Sequence, residues 1–167
     1  ITDASADHLA QLTGLKWLVL FADDMSDEGL AKLTSLKKLQ YLNILGNPKR
    51  GKFTFSGVSR PNGLPNLTDL WYYGLKHRPD EPGLDFTGMP QLQKLGMADL
   101  RDEDMAGLRN CKNLKWLQGS HLSNAGVAQL ADFHLMERLT LSGNEITDDG
   151  LKHLAGMNRL NWLTIEG

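Results

Sequence analysis

A leucine-spaced unit of about two dozen residues recurs along the whole chain, and it limits the fold more than any other feature. Setting Met25-Ser-Asp-Glu-Gly-Leu30 over Ile146-Thr-Asp-Asp-Gly-Leu151 brings the rest into register. The seven units are 1–24, 25–48, 53–76, 77–99, 100–121, 122–145 and 146–167, with Lys49 to Lys52 inserted after the second. Each carries apolar residues at every third position and then a closing L-x-L. The second reads Leu30, Leu33, Leu36, Leu39, Leu42, Ile44, and the seventh reads Leu151, Leu154, Met157, Leu160, Leu163, Ile165. Three-residue spacing places side chains on one helical face, and alternation places them on one side of a strand. Each unit therefore reads as a short helix, a turn and a short strand. One such unit cannot bury its own apolar edge, so neighbours must stack. The chain holds 31 Leu against 4 Ile and 3 Val, which sets it apart from the Val- and Ile-rich parallel sheets of ordinary α/β folds.

Composition removes several function classes. A net charge of -2 exerts no global pull on nucleic acid. The longest apolar run, Trp17 to Ala22, is far too short to insert across a membrane. One cysteine, Cys111, allows no internal disulfide and no cysteine-based zinc site; it occupies a leucine slot and reads as a small buried hydrophobe. No G-x-S-x-G, phosphate-binding or dinucleotide glycine motif occurs, and no pair of histidines has metal-ligand spacing. The sequence argues against an enzyme and calls for no cofactor.

The repeated I-T-D-x-G-L start and L-x-x-L-x-L end resemble the leucine-rich repeat family, in a 24-residue form like that of bacterial multi-repeat proteins. The resemblance implies an α/β solenoid: a short right-handed arc with parallel strands on its concave face and helices or 3-10 turns on its convex face. It also implies a binding scaffold, commonly for another protein. Repeats three and four depart from the pattern. Pro61 and Pro65 in one, and Pro79 and Pro82 in the other, stand at helix positions. Proline lacks the donor that a helix interior needs, so these segments should be extended or 3-10. Elsewhere Ser26, Ser123 and Thr147, or the Asp27, Asn124 and Asp148 that follow them, can cap the helix starts.

The register singles out a candidate site. If the leucines face the core, the residues between them line the opposite face of the sheet. One column is Trp17, Tyr41, Asp69, Lys94, Trp116, Arg138 and Trp162. The next is Val19, Asn43, Trp71, Gly96, Gln118, Thr140 and Thr164. A third is Phe21, Leu45, Tyr73, Ala98, Ser120, Ser142 and Glu166. All four tryptophans fall in these columns. Such residues concentrate binding energy because they bury much area at small entropic cost. The ligand-binding candidates are Trp17, Phe21, Tyr41, Asn43, Asp69, Trp71, Tyr73, Lys94, Trp116, Arg138 and Trp162. Gly96 beside Trp71 is expected to leave a shallow pocket against the indole. A basic rim, Lys49, Arg50, Lys52, Lys76, His77 and Arg78, is a second candidate, suited to an acidic partner.

The functional expectation is a non-enzymatic scaffold that binds a protein or peptide on its aromatic concave face. A carbohydrate-binding module is one alternative, because indoles also stack on sugar rings and Asn43, Asp69, Gln118 and Arg138 could complement them. Structural spacer repeats of a larger protein are another. The sequence opens inside the repeat pattern at Ile1 and stops just past strand residues Trp162 to Ile165. The expectation is therefore an excerpt of a longer chain, or one prone to end-to-end self-association through its leucine-lined ends.

Overall fold

Every L-x-L ending forms a strand, and the strands lie side by side in chain order. This computed structural model describes residues 1–47, 53–59, 63–73, 83–142 and 145–166. The strands are β1 (Trp17–Phe21), β2 (Tyr41–Leu45), β3 (Asp69–Tyr73), β4 (Lys94–Met97), β5 (Trp116–Ser120), β6 (Arg138–Ser142) and β7 (Trp162–Glu166). All pair in parallel in one open sheet. Leu18, Leu42, Leu70, Leu95, Leu117, Leu139 and Leu163 stand in one unbroken row across it.

On the other side of the core run α1 (Asp3–Leu9), α2 (Asp27–Lys32), α3 (Met105–Leu108), α4 (Asn124–Gln129) and α5 (Asp148–Leu151). Helices α2, α4 and α5 each pass directly into a 3-10 turn, while α3 follows one. This is the α/β solenoid that the resemblance to leucine-rich repeats implies. Among the described residues, repeat three keeps one 3-10 turn, Phe55–Gly57, and residues 83–93 of repeat four form no helix; Pro61, Pro79 and Pro82 lie outside the described residues. Where leucine-bearing helices are lacking, rings fill the core. Tyr72 meets Phe53 and Phe55 edge-on at 5.8 and 5.4 Å, and Phe55 lies 4.8 Å from Phe86. Tyr72 is fully buried, and its hydroxyl donates to the Thr54 carbonyl at 2.7 Å.

The helix starts are tied to one another by a device that corrects the capping expectation. Ser26 and Ser123 do cap their helices, accepting from the Gly29 and Ala125 N–H groups, whereas Thr147 makes no side-chain cap. The following Asp27 and Asn124 do not cap; they reach the next repeat. Asp3 accepts from the Ser26 N–H at 2.8 Å and the Ser26 hydroxyl at 2.6 Å. Asp27 does the same for Thr54, and Asp102 for Ser123. Asn124 accepts from the Thr147 N–H at 2.9 Å and, being an amide, donates to its hydroxyl at 2.8 Å. In repeats two, six and seven a glycine makes room for this clamp. A Cβ on Gly29, Gly126 or Gly150 would lie 2.1, 2.1 or 2.3 Å from the oxygen of Asp3, Asp102 or Asn124.

Candidate functional site

The residues between the leucines all fall on the open face of the sheet. Adjacent strands pair Trp17 with Tyr41, Tyr41 with Asp69, Asp69 with Lys94, Lys94 with Trp116, Trp116 with Arg138 and Arg138 with Trp162. The second column, Val19 through Thr164, is in register in the same way. In the third, Ala98 lies past the end of β4, which stops at Met97. Phe21, Trp17 and Trp162 are 69%, 64% and 57% exposed, far more than a packed apolar side chain would be.

Three groupings divide this face. At β1 and β2, Trp17 and Tyr41 stack in parallel, centroids 3.7 Å apart and planes 5° apart. In the middle, Lys94 pairs with Asp69 at 2.8 Å, and Asp69 also accepts from the Thr68 hydroxyl at 2.8 Å. This is an ion pair between neighbouring strands, with its carboxylate anchored. Beside it, the amide oxygen of Asn43 is buried and has no hydrogen-bond partner among the described residues.

The third grouping runs from β3 to β7. Trp71 does not border a pocket at Gly96, as the sequence suggests; its indole lies across Gly96 and fills that space. A Cβ there would come within 2.2 Å of the ring and 2.6 Å of the Tyr73 hydroxyl. The missing side chain on β4 lets the Trp71 ring, which starts on β3, reach Trp116 on β5, 5.2 Å away and edge-to-face. Tyr73 stacks against the near side of Trp71 at 6.5 Å. Burial, reinforced by Tyr41, raises the Tyr73 phenol above its ordinary pKa, so it stays a neutral hydroxyl. Past Trp116, the Arg138 guanidinium lies 5.1 Å from the Trp116 ring centroid and 5.6 Å from that of Trp162. The Trp162 indole N–H donates to the Thr164 hydroxyl at 3.1 Å, which orients the last ring. The result is a continuous ladder of Tyr73, Trp71, Trp116, Arg138 and Trp162. It crosses four strand spacings, about 19 Å.

The rim at β5 holds a cavity of about 380 Å³ lined by Arg101, Asp102, Glu103, His121, Leu122, Ser123 and Glu145. His121 has φ of 67°, a left-handed conformation uncommon for a residue with a side chain. Its Nδ1 is 3.0 Å from the Ser120 hydroxyl and 3.2 Å from Asp99. A nucleophilic relay needs serine and carboxylate on opposite ring nitrogens; here both crowd the same one, so this trio cannot pass a proton along. Asp99 also carries Arg101, at 3.1 Å. The arrangement is an ion-pair and hydrogen-bond cluster that holds the ring.

Lys49, Arg50, Lys52, Lys76, His77 and Arg78, the candidate basic rim, lie outside the described residues. Cys111 is buried, and its surroundings push the thiol up to about 12. Among the described residues no three His, Cys, Asp or Glu side chains gather as a metal would require, and no helix is long and apolar enough to cross a membrane.

No protein-family model and no curated protein matches the sequence. Solved structures match the fold. InlP of Listeria monocytogenes superposes with a TM-score of 0.60 at 15% identity over 98% of this chain. An internalin, InlF, from the same species gives 0.58 at 19% identity over 93%, and an internalin C2 gives 0.52 at 19% over 99%. The chain spans about half the length of InlP and InlF and 84% of internalin C2. At these identities the likeness is one of fold: the chain has the leucine-rich-repeat architecture seen in bacterial proteins.

Proposed function

We propose that this chain is a non-enzymatic recognition scaffold that binds a protein or peptide segment on the open face of its sheet. The observation that carries the reading is the aromatic ladder from Tyr73 to Trp162. Three indoles and a phenol share one surface with a guanidinium, and the Trp162 ring is largely exposed. They stand apart from the core, whose leucine row is buried from Leu18 to Leu139. Solvent-facing rings of this kind are where interfaces concentrate their energy. The internalin likeness adds a scaffold of the right architecture and no partner.

Panning a random-peptide display library against the chain tests this. Selected peptides should lose binding to a Trp17→Ala, Trp116→Ala, Trp162→Ala triple variant whose melting temperature is close to that of the parent. Peptides that bind parent and variant equally would remove the open face from consideration. A carbohydrate reading is favoured by one feature, the exposed parallel stack of Trp17 on Tyr41, which offers a flat apolar platform to a sugar ring. A neutral-glycan array separates the two: oligosaccharide binding lost on Trp17→Ala would favour sugar over peptide.

A further inference from the structure

Arg138 is placed differently from the other cations beside it on the sheet. Lys94 is answered by Asp69 at 2.8 Å, and Lys115 by Glu137 at 3.9 Å. Arg138 has no carboxylate within ion-pair distance among the described residues; its partners there are the two rings. Guanidinium is planar and offers two kinds of contact: its faces to aromatic rings, and its in-plane N–H fork to a carboxylate. With its guanidinium carbon over Trp116 and Trp162 and no carboxylate beside it among the described residues, Arg138 leaves its N–H fork for an incoming group. Holding the side chain there also reduces the rotamer entropy that an unsupported arginine would lose on binding.

We propose that Arg138 reads a carboxylate of the partner: a peptide segment with an Asp or Glu side chain on the guanidinium fork and apolar residues on either side of it. This rests on the proposed binding at the open face and names the chemistry of its occupant. The flanking residues follow from the neighbours. On one side the partner meets the exposed indole of Trp162; on the other it meets Trp116, backed by Trp71. Apolar groups suit both places, and a partner cation would face an uncompensated guanidinium. The polar residues beside Arg138 in the second column, Gln118 and Thr140, can bond a peptide backbone.

The experiment uses the peptides selected by display. They should be enriched in an Asp or Glu flanked by apolar residues. Changing that acid to Asn or Gln in a synthetic peptide should weaken binding about tenfold or more, the size of a charge-assisted bond. Arg138→Gln should cost about the same, and the two changes together should cost little more than either, which identifies them as partners. Arg138→Lys keeps the charge but loses the planar fork, so it should not restore full affinity. Arg138→Glu should redirect selection toward Lys- and Arg-bearing peptides. Because Arg138 is exposed, these variants should keep the parent's melting temperature, which is measured alongside. Peptides that depend on the tryptophans yet show no acidic enrichment and tolerate Arg138→Gln would overturn this inference and leave the peptide-binding reading standing. Peptides indifferent to the tryptophans would overturn both. Capture of an oligouronide but of no peptide would show that the carboxylate belongs to a sugar and would overturn the assignment to a peptide.

Discussion

Between Leu100 and Leu154 the side of the core away from the sheet is lined by leucines on short helices, and each helix start is clamped to the next by a carboxylate or amide. Between Phe53 and Phe86 the same volume is occupied by Phe53, Phe55, Tyr72 and Phe86 around the 3-10 turn Phe55–Gly57. The clamp also changes direction. Thr54 still receives Asp27, but the residue after it is Phe55, which has no carboxylate to pass forward. Repeat four is held from the opposite side instead. Asp104 of repeat five, 1% exposed, accepts from the Leu84 N–H at 3.1 Å and from its own Arg101 N–H at 2.9 Å. The sheet runs through both regions with its register unbroken. A solenoid thus tolerates a change in how one side is filled, provided that each layer still buries its neighbour's apolar edge.

If rings replace helices in the centre, removing one ring there should be the most damaging single change. Tyr72→Ala is expected to cost about 3–5 kcal/mol, read from urea unfolding, because it opens a cavity against Phe53 and Phe55. Tyr72→Phe keeps the ring and loses only the bond to Thr54, so about 1 kcal/mol is expected. Equal losses for the two variants would show that the hydrogen bond, not packing, holds the centre together.

The two directions of clamping can be set against each other. Asp104→Ala leaves the Leu84 and Arg101 N–H groups without that acceptor at a buried site, and about 2–3 kcal/mol is expected. Asp102→Ala acts at a half-buried site in the regular region, and about 1–2 kcal/mol is expected. The reverse order, measured by the same unfolding curves, would mean that the regular clamp carries more of the stability.

A glycine exchange tests the clamp without deleting a polar group. Gly126→Ala puts a methyl against the Asp102 carboxylate and should cost about 1–2 kcal/mol as the carboxylate is pushed aside. Gly14→Ala, where a Cβ meets nothing within 4 Å, should stay within about 0.5 kcal/mol of the parent. Matching melting temperatures for the two would show that the clamp yields at no cost.

The last effect is confined to alkaline pH. Cys111 titrates near 12 when folded, above the ordinary thiol range, so the folded state keeps its proton longer than the unfolded chain does. Its contribution to stability is therefore complete below about pH 8 and declines as pH rises from there toward 12. Cys111→Ala should flatten that alkaline decline. A thiol reagent at pH 8 should label the native protein only as fast as it opens. Rapid labelling of the native state would show that the leucine slot held by Cys111 is accessible.

The leucine spacing determined the number of strands and the alternation that sends Trp17, Tyr41, Asp69, Lys94, Trp116, Arg138 and Trp162 to one face, while the resemblance to leucine-rich repeats supplied their parallel order. Pro65 likewise falls in a described stretch without helix. What the tertiary structure decided is which of those side chains touch. Sequence placed Gly96 beside Trp71 but not the indole across it, because a ring's direction depends on the space that its neighbours leave. It placed Asp27 and Asn124 at helix starts but not against the next repeat, because a carboxylate or an amide can bond to either and the stacking distance selects between them. The pairing of Arg138 with Trp116 and Trp162, strands away in sequence and adjacent in space, exists only once the sheet has brought them into register.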